Sequence, residues 1–141
     1  MPRPLLEIKN LRKEYGRQIV LDGVSFNVLE GQKIALIGRN GAGKSTLLNI
    51  VTEVSEPDAG EVMILPWTRI GSVAQHEVLP SGATTQDYLE ARSGKHSWEV
   101  AKLASRFALS ATELAMPPST LSGGYQMRVK LVAMLLLDPN L

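Results

Sequence analysis

The sequence predicts an α/β fold in which short β-elements dominate up to residue 75 and helices dominate after it. Three observations carry that prediction. Residues 33–37 are almost wholly apolar and run directly into Gly38-Arg39-Asn40-Gly41-Ala42-Gly43-Lys44-Ser45-Thr46, which is followed by the helix-like residues 47–51. Spaced apolar residues of strand type precede and follow that stretch, and from residue 84 onward the pattern changes to helical spacing. With 141 residues, 44% of them hydrophobic and 21% charged, the chain has enough apolar surface to bury a core.

Taken in order, Leu6, Ile8 and Leu11 predict a strand that ends in a turn at Lys13-Glu14-Tyr15-Gly16. Val24, Phe26 and Val28, alternating with Ser25, Asn27 and Leu29, predict a second strand, and Glu30-Gly31 turns it into the next. Residues 33–37 read as a strand buried on both faces. The helix that starts at Lys44 is expected to stop before residues 55–60, where Pro57 and Gly60 punctuate the chain, and residues 61–65 resume as strand. Residues 70–74 form another short apolar run that ends at Gln75. Residues 84–92 and 97–109 read as helices, the second with Trp98, Ala101, Ser105 and Ala108 on one stripe. Ser110 and Glu113 have the spacing of a capping box for one more short helix, ended by Met116-Pro117-Pro118. A last helix is expected from the Leu121-Ser122-Gly123-Gly124 stretch to about Leu137, with Met127, Leu131, Met134 and Leu135 near helical spacing.

Residues 38–46 have the chemistry of a phosphate cradle. Their glycines let the backbone curl with N–H groups turned inward, and the first turn of the following helix adds unpaired N–H groups and the positive end of its dipole. The pattern is Gly, four residues, Gly-Lys and then Ser or Thr, the P-loop, in which Lys44 reaches the β- and γ-phosphates and the Ser45 hydroxyl takes one position on Mg²⁺. Ser122-Gly123-Gly124 offers similar physics at the start of a second helix. It reads equally as an ordinary N-cap with glycines for a tight turn. Gln75, at the end of a strand pattern, can bring an amide oxygen to a metal and an attacking water, or can be a plain loop residue. Tyr15 on its own chemistry is a turn aromatic that needs only some apolar surface to cover it.

The order Tyr15, Gly38 to Thr46, Gln75, Leu121 to Gln126 resembles the ATP-binding domain of the ATP-binding-cassette (ABC) family, and the resemblance covers almost the whole chain. It implies a P-loop NTPase core of the ABC ATPase type with a small antiparallel β part and a helical subdomain. Residues 1–75 would be the nucleotide-binding core, 76–120 the helical subdomain, and 121–141 the signature motif with its helix. Tyr15 would stack on adenine. Gly38, Arg39, Asn40, Gly41, Ala42, Gly43, Lys44, Ser45 and Thr46 would hold ATP, with Lys44 and Gln75 in catalytic roles and Ser45 and Gln75 on Mg²⁺. Ser122, Gly123, Gly124, Tyr125 and Gln126 would meet the ATP of a second cassette placed head to tail.

Within that family, two features resemble the ABC-F proteins, tandem-cassette ATPases that act on the ribosome. Only fifteen positions separate Gly60 from Gln75, and Tyr125 rather than glutamine follows the paired glycines. The 46 positions from Gln75 to Leu121 leave no space for a long arm insertion. The resemblance thus implies a ribosome as partner. The alternatives are a cassette that energises a membrane transporter and a non-hydrolysing nucleotide-binding or interaction module.

The family pattern continues with a strand ending in Asp-Glu and a later switch histidine. His76 and His96 precede the signature, and Asp138 precedes a proline and reads as a turn residue. The cassette is therefore expected to be incomplete at its C-terminus, and the chain alone is expected to hydrolyse ATP negligibly. Composition adds limits. A net charge of +1 from 15 basic and 14 acidic residues neither calls for nor excludes a nucleic-acid partner, and the cations Lys95, Lys102, Arg106, Arg128 and Lys130 read as a scattered solvated face or as contacts to ribosomal RNA. Without cysteine there are no disulfides or thiolate metal sites, and the longest late apolar run, residues 131–137, is too short to span a bilayer. A soluble, cytoplasmic protein is expected. Trp67 and Trp98 read as packing residues.

Overall fold

Leu6, Ile8 and Leu11 are spaced two and then three apart, and the odd step marks a bulge. In the computed structural model, which describes residues 2–74 and 77–141, β1 (Pro4–Tyr15) pairs antiparallel with β2 (Gln18–Leu29), and the register shifts between Ile8 and Leu11. Asn10 sits there with φ 49°, and its N–H donates to Ser25 Oγ at 2.7 Å. The extra residue returns Leu11 to the buried face shared by Leu6 and Ile8. β3 (Ala59–Ile64) pairs with the other edge of β1, giving the order β2-β1-β3. These strands belong to one unit that runs to Ile70 and includes Asn140 and Leu141.

The same unit holds α1 (Lys44–Val51), which buries Leu47, Ile50 and Val51 in one cluster with Leu6, Ile8, Leu11, Leu21 and Val28. The i, i+3, i+4 spacing of those three residues gives α1 one apolar stripe, turned to the sheet. Thr52 Oγ1 donates to the Leu48 carbonyl at 2.9 Å and the Glu53 backbone turns left-handed at φ 59°, which ends the helix well before Pro57. Asp58 ties the start of β3 to β1: its carboxylate accepts from the Glu14 N–H at 2.6 Å and from Lys13 Nζ at 2.9 Å.

Residues 33–37, expected as a doubly buried strand, lie outside the sheet and are all exposed, Ile37 at 93%. Residues 70–74 carry no strand either. Apolar character fixes what a segment buries once neighbours flank it, but a strand exists only where another strand completes its ladder.

The second unit, Gly71–Pro139, is helical. It contains α2 (Thr85–Ser93), α3 (Ser97–Arg106), α4 (Ala111–Ala115), a 3-10 turn at Pro118–Thr120 and α5 (Gly123–Leu135). Two of the helices begin with reciprocal caps, Thr84 with Asp87 and Ser110 with Glu113, and at α3 the Glu99 carboxylate accepts from the His96 N–H at 3.1 Å. Ser110 and Glu113 thus form the predicted capping box: the Ser110 N–H donates to Glu113 Oε2 at 2.8 Å, and hydrogen bonds from Ser110 hold the Glu113 carboxyl below its ordinary pKa. Leu89, Val100, Ala104, Leu109, Val129 and Val132 form the centre of the core.

Two faces differ from the sequence reading. α3 buries Val100 and Ala104, while the stripe of Trp98, Ala101 and Ser105 is exposed and Ala108 lies beyond the helix end. α5 buries Val129, Val132 and Ala133, with Leu136 just past its end, rather than a stripe centred on Met127 and Leu131, and Met127 is exposed. Residues 129–137 are apolar nearly all round, so spacing alone could not choose the buried side. Lys130, counted among the scattered cations, is buried.

Candidate functional site

The loop before α1 is shaped by one lysine and supported by one glycine. Lys44 folds back over the turn, and its Nζ donates to the Gly38 carbonyl at 2.7 Å and to the Arg39 carbonyl at 2.8 Å. The Ala42 N–H closes the turn on the Arg39 carbonyl at 3.1 Å. An ammonium has three donors, so this latch leaves one for an anion. Gly43 is the residue before α1 and holds a left-handed backbone at φ 86°. A Cβ on it would stand 2.8 Å from the Val20 carbonyl oxygen and 2.9 Å from Val20 Cγ1. The loop is thus seated directly on β2.

From Gly43 onward the chain is helical, and the N–H groups of Lys44, Ser45 and Thr46 have no acceptor within the helix. No acidic residue stands in the first turn of α1, so nothing there opposes an incoming anion. Ser45 is exposed and presents its hydroxyl beside those N–H groups. Arg39, Asn40, Gly41 and Ala42 are exposed around the loop. The predicted cradle residues are therefore brought together in one turn, and the arrangement can bind a polyphosphate.

Tyr15 closes the β1–β2 hairpin opposite Gln18. Its ring is 53% exposed, with Lys13 Nζ 5.6 Å from its centre. An aromatic face left open in this way can stack on a planar base. Gln75 and His76 lie outside the described residues, so the structure gives no position for the predicted glutamine.

In the helical unit, Ser122 is the residue before α5, with an extended backbone and no capping bond from its side chain. Gly123 and Gly124 are exposed, neither has a positive φ, and a Cβ on either would meet nothing within 4 Å. Among the described residues nothing requires glycine at these two positions. Gln126 is committed inward, its Nε2 donating to the Leu121 carbonyl at 2.8 Å and the Ser119 carbonyl at 3.1 Å, which fixes the turn ahead of α5. Tyr125 packs partly against the helical core, with the Arg128 guanidinium 4.8 Å from its ring centre.

Sequence reasoning missed Val20 and Leu21 as supports of the loop, because their contact with Gly43 spans more than twenty positions and leaves no local pattern. Among the described residues no group of three or more His, Cys, Asp or Glu stands ready to hold a metal ion. No helix among them is long and apolar enough to cross a membrane.

Residues 21–141 match the family described as ABC transporter. The chain is 33% identical to the Nod factor export ATP-binding protein I of Ralstonia nicotianae, over 97% of this chain and 48% of that protein. It is 32% identical to the ribosome protection protein VmlR of Bacillus subtilis, over 93% of this chain and 24% of that protein. Among solved structures, a dimeric bacterial ABC transporter cassette superposes with a TM-score of 0.81 at 27% identity, covering 96% of this chain and 71% of that one. The chain thus spans less than half the length of these two curated relatives.

Proposed function

We propose, on the premise that this chain belongs to the ABC transporter family, that it supplies one ATP-binding half-site of a two-cassette ATPase. The observation that carries the proposal is the latch of Lys44 on the Gly38 and Arg39 carbonyls beside the open first turn of α1. It holds the loop in a curl with a spare ammonium donor and three backbone N–H groups available to phosphates. Tyr15 takes the adenine and residues 38–46 take the phosphates. The exposed Ser45 hydroxyl beside the first turn of α1 fits a P-loop Mg²⁺: Ser45 would hold the ion, and Gln75, on its sequence position, would be a second ligand. The ion supplies neutralisation of the phosphate charge.

Ser122, Gly123 and Gly124 face the nucleotide of a second cassette, with Tyr125 and Gln126 shaping the helix start behind them. Two glycines at the start of a helix, with no strained φ and no neighbour, are suited to close approach by a phosphate from outside the chain. Between Lys33 and Thr52 there is no Asp or Glu to orient water at the loop. Residues 1–75 act as the nucleotide-binding core, 76–120 as the helical subdomain and 121–141 as the signature segment.

For the action that ATP drives, the reading we favour is ABC-F-like work on the ribosome. The short passage from Gly60 to Gln75 and Tyr125 after the glycines support it, as does likeness to a protein named for ribosome protection. Energising a membrane transporter is the second reading, favoured by the match to an export ATP-binding protein over nearly the whole chain. Binding of a fluorescent ATP analogue, dependent on Mg²⁺ and weakened in Lys44→Ala, tests the half-site. Co-sedimentation of the full-length parent with ribosomes in a slowly hydrolysed ATP analogue tests the action, and no nucleotide-dependent association would remove the ribosomal reading.

A further inference from the structure

The geometry points to a single-stranded RNA contact on α3, built from Trp98, Lys102 and Arg106; it rests on the ribosomal reading and names a surface through which that reading would act. Trp98 was expected to pack, yet it is 65% exposed. Lys102 and Arg106 follow it at i+4 and i+8, so the three side chains lie along one face, successive positions about 6 Å apart on the helix axis. They border an open depression of about 320 Å³ whose apolar floor includes Leu103 and Leu136.

The charges around it are not equivalent. Lys95 is held by Asp138 at 2.8 Å, and Glu99 is turned to the His96 N–H at 3.1 Å as part of the helix cap. Among the described residues Lys102 and Arg106 have no ion-pair partner, and both are exposed. Asp138 is thus paired and Glu99 is directed to the helix cap, while two cations beside an open indole have no ion pair among the described residues. An aromatic platform next to cations at regular spacing is the combination that binds single-stranded nucleic acid, through stacking on a base and contact with the flanking phosphates. An acidic peptide would use the cations without needing the indole, so the aromatic decides between the two.

The test is the fluorescence anisotropy of a labelled short uridine oligonucleotide titrated with the chain at several salt concentrations. Binding is expected with a slope of log K against log salt of about −1.4, from two phosphate contacts at about −0.7 each. Trp98→Ala is expected to weaken binding about 5- to 150-fold with the slope unchanged. Lys102→Glu with Arg106→Glu, both at exposed positions and checked for intact helix by circular dichroism, is expected to abolish it. Wild-type affinity in Trp98→Ala, or equal competition by poly-glutamate, would overturn the RNA contact. Ribosome co-sedimentation of the full-length parent separates the two claims. Association that survives the double charge reversal unchanged sinks the α3 contact and leaves the ribosomal reading standing, whereas absence of any wild-type association sinks the ribosomal reading while the oligonucleotide titration still decides the contact.

Discussion

Replacing Gly43 by alanine should damage this protein far more than the same change at Gly41, although both glycines belong to one loop and have nearly the same backbone angle. Both are left-handed, with φ 83° at Gly41 and 86° at Gly43, so each substitution carries a conformational cost of roughly 1–2 kcal/mol. At Gly41 a new Cβ meets nothing within 4 Å, and the cost ends there. At Gly43 it meets the Val20 carbonyl oxygen at 2.8 Å, Val20 Cγ1 at 2.9 Å and Leu21 Cδ2 at 3.0 Å, against the 3.4 Å or more of ordinary contact. Two of the three are atoms of Val20, held in β2 between the paired residues Ile19 and Leu21, so the loop has to lift from β2, adding about 1–3 kcal/mol of overpacking. Urea unfolding measures the difference. With an m-value of about 1–3 kcal/mol/M, the Gly43→Ala midpoint should fall about 0.3–3 M below that of Gly41→Ala with little change in slope. Binding of a fluorescent ATP analogue should follow, since lifting the loop displaces the first turn of α1. Equal midpoints for the two variants, or full ATP affinity in Gly43→Ala, would refute the claim that the cradle is seated on β2.

Three further outcomes are expected. Lys44→Ala should weaken ATP binding by about 10- to 150-fold, the worth of a charge-assisted hydrogen bond of about 1.5–3 kcal/mol, and Lys44→Arg should not restore it because a planar guanidinium cannot follow the same latch; calorimetric titration reads both. Gly124→Ala should leave the chain as stable as before, or more stable by up to about 1 kcal/mol, while reducing ATP-dependent association with a second cassette in analytical ultracentrifugation; loss of fold in this variant would show that the glycine serves the chain itself. Asp58 is held below the ordinary aspartate value by the Glu14 N–H and then by Lys13. A carboxyl depressed in the folded state contributes stability above its unfolded pKa and loses it as pH falls through the folded one. Asp58→Asn should therefore flatten the acid limb of the stability profile below about pH 4 and change its shape little near neutrality. An unchanged acid limb would remove the Asp58 tie from the account.

What could be seen in the sequence was whatever local chemistry decides. The cradle was legible because glycine conformation, a lysine and a hydroxyl at fixed spacing act within nine residues. The capping box of Ser110 and Glu113 was legible for the same reason, as were α1 and the turn at Tyr15 and Gly16. The 2-then-3 step from Leu6 to Leu11 even carried the bulge, visible once the partner strand shows that Asn10 is the extra residue. Residues 33–37 were misjudged because strand formation depends on a neighbour, and composition is silent about neighbours. The buried faces of α3 and α5 were misjudged where apolar residues surround the helix or where small residues such as Ala101 and Ser105 suit either environment. Gln75 is placed by the sequence alone. Tyr125 and Gln126 were legible as members of a motif, but only coordinates reveal that Gln126 spends its amide on Ser119 and Leu121.

The open segment at residues 33–37 leads without interruption into Gly38, whose carbonyl is one end of the Lys44 latch. Any strand that docks along it would also fix the direction in which the chain enters the latch. Docking and nucleotide binding are then linked equilibria, and linkage is reciprocal: whatever factor a docked strand gains for ATP, ATP returns to the docking of that strand. If the half-site binds ATP as proposed, its affinity would then depend on whether Ile34, Leu36 and Ile37 are covered, and comparing ATP affinity before and after such docking would read the factor and its sign.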